Sequence, residues 1–109
     1  MLNKIAAVVF ILGTIALILI SDLEPRIIKI SEIDRTYLDK PVKIRGKVVS
    51  LMHFYNFMIF TLEEGNSTIS VKLNKNIEIN KNQFIEVTGK VILYKENLEI
   101  EARKITFLD

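Results

Sequence analysis

The chain contains no cysteine, no tryptophan, a single histidine and only four glycines among its 109 residues. Without cysteine there is no disulfide framework and no thiolate metal site, and cysteine usage says nothing of the redox compartment. With His53 as the sole imidazole, a metal cluster or a His-based triad would need carboxylates gathered round that one ring. The glycines at 13, 46, 65 and 89 are isolated, so no glycine-rich phosphate loop is present. Charge of one sign is also scarce: 15 Lys and Arg against 13 Asp and Glu leave +2, too little to imply an electrostatic partner.

What is present divides into two parts. Ile5 to Ile20 is uncharged and apolar, interrupted only by Gly13 and Thr14. A spanning helix needs roughly 20 apolar residues, with a lower limit near 17, and flanking residues extend this run to about that reach. A cleaved signal peptide would end in a small-x-small pair at a cleavage site, and Leu19-Ile20-Ser21-Asp22 offers none. A buried core helix is possible for 16 residues, yet the run is apolar all round and the remainder can close its own core. The preferred reading is a single-pass anchor over residues 5–23 whose partner is the lipid bilayer, after an N-terminal tail at 1–4. The Lys and Arg balance across the run is weak and slightly favours a domain outside the cytoplasm.

Residues 24–40 read as a linker with one short helix: a Ser31 cap, then Ile33, Tyr37 and Leu38 at helical spacing, ended by Pro41. From residue 41 to 109 the pattern is that of strands. Residues 42–51 (VKIRGKVVSL) and 85–94 (IEVTGKVILY) share an alternating apolar frame around Gly-Lys-Val. Glycine inside a strand marks a bulge, a bend or a close backbone approach. The phase of the first strand slips at Val48-Val49, as a bulge would show. A nearly continuous apolar run from Phe57 to Glu63, a Glu64-Gly65-Asn66 turn and an alternating strand from Thr68 to Leu73 follow. The fourth strand places Ile85, Val87, Gly89, Val91 and Leu93 inward, and Lys95-Glu96-Asn97 turns into a fifth. Five strands with the longest connection between the third and fourth describe an all-β, Greek-key barrel of the OB-fold type, with one transmembrane helix before it.

The segments Val42 to Val48, Phe57 to Gly65, Thr68 to Val71 and Phe84 to Val91 resemble the OB-fold nucleic-acid-binding family of the tRNA-anticodon-binding type. The resemblance covers roughly residues 40–107. It departs from the family at the glycine that usually opens strand four, replaced here around Asn82-Gln83, and in the added apolar run. The fold hosts many functions, so the resemblance speaks to fold more than to ligand. A haem chaperone of cytochrome c maturation also joins an anchor to such a barrel, but its haem-attachment histidine lies in a C-terminal motif. Nothing from Lys95 to Asp109 matches that motif, and no cofactor is expected.

In this family single strands bind across strands two and three, between the first and fourth loops, with bases on aromatic rings and phosphates on cations. The matching candidates are His53, Phe54 and Tyr55 in the first loop, Lys43, Arg45 and Lys47 on one outward face of strand one, Lys72 on strand three, and Tyr94 with Lys95 in the last loop. Catalysis has little support: Glu63 and Glu64 leave a strand pointing apart and read as turn solvation. The plainer reading is that Phe54 and Tyr55 plug the barrel mouth while alternating lysines keep strands soluble. Glu96, Glu99 and Glu101 lie where phosphates would pass. The expected role is therefore non-enzymatic binding of single-stranded DNA or RNA. The alternative is an interaction module for a membrane-protein partner or other ligand at the membrane surface.

Overall fold

The computed structural model describes residues 25–108, so the anchor reading over residues 5–23 lies outside the described residues. Five strands follow two single 3-10 turns: β1 (Pro41–His53), β2 (Met58–Glu64), β3 (Ser67–Leu73), β4 (Phe84–Tyr94) and β5 (Asn97–Phe107). They close in the order β1-β2-β3-β5-β4 and back to β1. All pairs are antiparallel except β3 with β5, which share only the parallel register Ser70↔Glu99 to Lys72↔Glu101. This is the five-stranded OB-type barrel that the strand pattern predicts. No helix among the described residues is long and apolar enough to cross a membrane.

The strand alternation sets the core. Met58, Phe60 and Leu62 of β2 meet Ile69, Val71 and Leu73 of β3 inside, together with Val42, Ile44 and Val48, Ile85, Val87 and Val91, and Ile100. Each large side chain so buried contributes about 1.5–3 kcal/mol relative to exposure. Leu93 is the exception to the expected inward set, 45% exposed, because the β4–β5 hairpin runs past the barrel mouth beyond the buried pair Val91↔Ile100.

Both repeated glycines mark close backbone approaches. A Cβ on Gly46 would stand 2.9 Å from the Glu63 carbonyl oxygen, and one on Gly89 would collide with the Glu101 carbonyl oxygen. At these places β1 and β4 coil sharply enough to pair on both sides, so that Lys47 is in register with Glu63 of β2 and with Phe84 of β4. The bulge of β1 falls between Val48 and Ser50, where the sequence phase slips. A second register shift lies at Thr88 and Gly89.

The lead-in differs from the expected Ser31-capped helix. It forms separate turns at Ile30–Glu32 and Arg35–Tyr37 with Ile33 extended between them. Asp34 caps the second turn, accepting from the Thr36 amide at 3.0 Å. Its carboxyl is held below the usual carboxylate range by the Thr36 hydroxyl and then by that amide. Glu64 does more than solvate a turn: its Oε1 accepts from the Ile30 amide at 2.8 Å and fastens the lead-in to the barrel. At the other end, the lead-in covers the stretch of β1 that precedes its pairing with β2, with the Ile28 amide on the Lys43 carbonyl at 2.9 Å. An open strand edge is closed by this contact.

Candidate nucleic-acid interface

The period-two alternation that sends Met58 and Phe60 inward sends Phe57 and Ile59 outward, and the same rule on β4 sends Ile92 and Tyr94 outward. With Lys72 of β3, Glu99 of β5 and Phe54 of the β1–β2 loop, these residues line a groove of about 330 Å³ across the barrel. One wall is the β1–β2 loop that the family expectation names, and the other is the hairpin end of β4 and β5, next to the second loop.

At one end Phe54 stacks on Phe57, with ring centroids 4.5 Å apart and planes 10° from parallel. The Lys72 ammonium lies 5.0 Å from the Phe57 centroid. Stacking and cation–π contacts of this kind contribute about 0.5–1.5 kcal/mol each. Asn76, from the β3–β4 connection, sets the loop: its Nδ2 donates to the Phe54 carbonyl at 2.8 Å, and its Oδ1 lies 2.9 Å from His53 Nδ1. At the other end the turn Lys95-Glu96 carries positive φ at both residues, 48° and 69°. That backbone hangs the Lys95 ammonium 5.4 Å from the Tyr94 ring centroid.

The structure brings together Phe54, Lys72 and Tyr94, with Lys95 beside Tyr94, and separates the other candidates from them. His53, expected in the first loop, instead ends β1, paired with Met58, and is tied to Asn76. Tyr55 projects from the loop tip, 99% exposed. Lys43 is buried where the lead-in runs along β1, so the expected outward face of strand one loses its first member. Arg45 donates from Nε to Glu86 Oε1 at 2.9 Å, which offsets its charge, and Lys47 faces Glu63 in register. Arg45 and Lys47 line a different concavity with Glu63, Glu64 and Phe84. They stand away from the groove because the early part of β1 pairs with β4, while the groove lies over β2, β3 and the hairpin end of β4 and β5.

Phe57, Ile59, Ile92 and Asn76 were not among the candidates. Ile92 carries a legible signal, being an apolar residue in the outward phase of its strand, whereas Phe57 and Ile59 lie in a nearly continuous apolar run that has no such phase. Asn76 carries none, since it is one asparagine in an Asn-rich connection whose path only the fold defines.

The profile of the tRNA anti-codon family, OB-fold nucleic acid binding domain, matches residues 42–108. The chain belongs to this family of OB-fold nucleic-acid-binding domains. Among solved structures it is similar to an aspartyl-tRNA synthetase of Leishmania major (TM-score 0.69, 17% identity, 76% of this chain and 20% of that one). It is also similar to a replication protein A heterotrimer bound to single-stranded DNA (0.59, 16%, 63% and 57%). A third is an OBody, AM1L10, bound to hen egg-white lysozyme (0.66, 21%, 81% and 99%). At these identities the likeness is one of fold. The chain spans about one fifth of the synthetase and little more than half of the replication protein A chain. No curated protein matches the chain in sequence.

Proposed function

We propose that the protein binds single-stranded nucleic acid, without catalysis, in the groove between the β1–β2 loop and the β4–β5 turn. The observation that carries this reading is the pairing of rings with cations at both ends of one groove: exposed Phe54 stacked on half-buried Phe57, which carries Lys72, and exposed Tyr94 with Lys95. Rings offer every base a stacking surface, and the ammonium groups lie where a backbone beside those bases would carry its phosphates. Membership in a nucleic-acid-binding family supports the same reading. Fluorescence anisotropy with a labelled oligothymidylate tests it. Binding should weaken as salt rises, and Phe54→Ala or Tyr94→Ala should cost about 1–3 kcal/mol per lost stack. Absence of binding at about 50 mM salt would overturn it.

A second reading uses the same face for a protein. Glu99 lies inside the groove, and residues 27–109 carry 13 Lys and Arg against 11 Asp and Glu, a balance that favours neutral ligands more than polyanions. The OBody, a barrel of this fold, is bound to a protein. Groove variants that abolish capture of a membrane-protein partner, with no oligonucleotide bound, would favour this second reading. For either ligand we propose a membrane setting, motivated by the uncharged run from Ile5 to Ile20. Carbonate extraction of the full chain tests that setting, and protease protection tells on which side residues 27–109 lie.

A further inference from the structure

The parallel seam between β3 and β5 is short. After Lys72↔Glu101 the two strands part, β3 ending at Leu73 while β5 continues along β4. The gap they leave is a cleft of about 210 Å³ between Leu73, Lys75 and Ile77 on one side and Arg103, Lys104 and Ile105 on the other. Three of those six residues are cations and none is a carboxylate.

Lys104 already has a partner, so the weight falls on Lys75 and Arg103. Both are exposed, and among the described residues neither side chain has a hydrogen bond or ion pair. Two other cations of the barrel sit by carboxylates: Arg45 by Glu86, and Lys90 with its Nζ 3.6 Å from Asp39. Isolated lysines on strand edges are ordinary solubilising charges. These two differ by sharing a concavity whose remaining walls include Leu73, Ile77 and Ile105, where apolar surface leaves the charges less screened than in open water. A phosphate fits that chemistry, as an anion able to take a forked guanidinium and a point ammonium together.

The cleft adjoins the groove. Lys75 precedes Asn76, whose amide nitrogen reaches the carbonyls of Phe54 and Tyr55 at the aromatic end. Lys72 at that end and Lys75 in the cleft are three residues apart, at most roughly 10 Å along the chain. We infer that a bound strand leaves the aromatic loop over Asn76 and sets a backbone phosphate between Lys75 and Arg103, lengthening the site beyond the groove. This rests on the nucleic-acid reading proposed above.

The test is oligothymidylate binding by the full chain in detergent, over a series of lengths and salt concentrations, with a Lys75→Ala, Arg103→Ala double variant. Both residues are exposed, so circular dichroism should show an unchanged fold. For the shortest oligonucleotides bound, the variant should equal the wild type. For longer ones it should bind more weakly, with a salt slope shallower by up to about 1.4, two contacts at roughly 0.7 each. Arg103→Lys alone should keep most of the slope. If long oligonucleotides bind the variant with wild-type affinity and slope while Phe54→Ala still weakens them, the cleft is overturned and the groove stands. If the wild type binds no oligonucleotide, the groove reading fails and the cleft goes with it.

Discussion

Asn76 Nδ2 and the Phe54 carbonyl oxygen are 2.8 Å apart, which ties the β3–β4 connection to the aromatic loop across 22 residues of sequence. Because the same side chain meets His53 at 2.9 Å, a single amide holds the chain where it leaves β1 and enters the loop that presents Phe54. Asn76→Ala should therefore lower oligonucleotide affinity several-fold by freeing the ring to leave its stack. It should cost no more than about 1–1.5 kcal/mol of stability, since the bonds are solvent-exposed. Anisotropy titration beside urea denaturation checks both halves. A large stability loss with unchanged affinity would remove Asn76 from the site.

The β4–β5 turn carries left-handed backbone at two residues that disfavour it. Positive φ is uncommon outside glycine and costs of order 1–2 kcal/mol at each such residue, and Lys95 and Glu96 both adopt it. Glu96→Gly should raise stability by about 1 kcal/mol, read as a higher urea midpoint. The same change removes a negative charge beside Lys95, so under the nucleic-acid reading affinity should rise with it. An unchanged midpoint would mean that the strain is relieved in solution.

Gly89 and Gly46 should rank in that order when replaced by alanine. At Gly89 the added methyl would meet the Glu101 carbonyl oxygen and stand 2.8 Å from Ile100 Cγ2, while at Gly46 its nearest neighbour is the Glu63 carbonyl oxygen at 2.9 Å. Overpacking against backbone costs about 1–3 kcal/mol, and Gly89→Ala should reach the upper end or exceed it. Thermal unfolding of the two variants checks the ranking. Equal midpoints would show that the strands separate without cost.

Asp34 ties the second 3-10 turn to pH. Its folded pKa is depressed, first by the Thr36 hydroxyl and then by the Thr36 amide. Folding therefore binds fewer protons at this group, and its stabilisation is present above the unfolded pKa and lost as pH falls through the lower folded value. The effect is local because the carboxyl is exposed. The Thr36 amide resonance should titrate below the ordinary aspartate range, and Asp34→Asn should abolish that titration. A midpoint at or above the usual value would contradict the cap.

The departure from the family pattern at Asn82-Gln83 has a physical reading in the structure. Asn82 takes φ of 70° while its amide donates to the Val48 carbonyl at 2.7 Å. Where the family carries glycine, this chain uses a residue that tolerates left-handed backbone better than most. The substitution was visible in sequence, but that its backbone is left-handed was not.

Alternation, two glycines inside strands and one acidic-Gly turn were enough to specify a five-stranded barrel, because a period of two leaves each strand a single face to bury. On β4 the same rule leaves Ile92 and Tyr94 outside, but the nearly continuous apolar run from Phe57 to Glu63 has no such phase, and the fold alone turns Ile59 outward. Local pattern could not say which outward faces meet. Lys43, Arg45 and Lys47 alternate as cleanly as any exposed strand, yet the closure of β1 against β4 and the lead-in buries the first, pairs the second and turns the third towards Glu63. The 3-10 lead-in, the Asn76 clamp and the cationic cleft likewise depend on residues far apart in the chain. Strand periodicity is a property of neighbours and can be read from them. Which cations stand beside which rings is a property of how the barrel closes, and only the tertiary structure decides it.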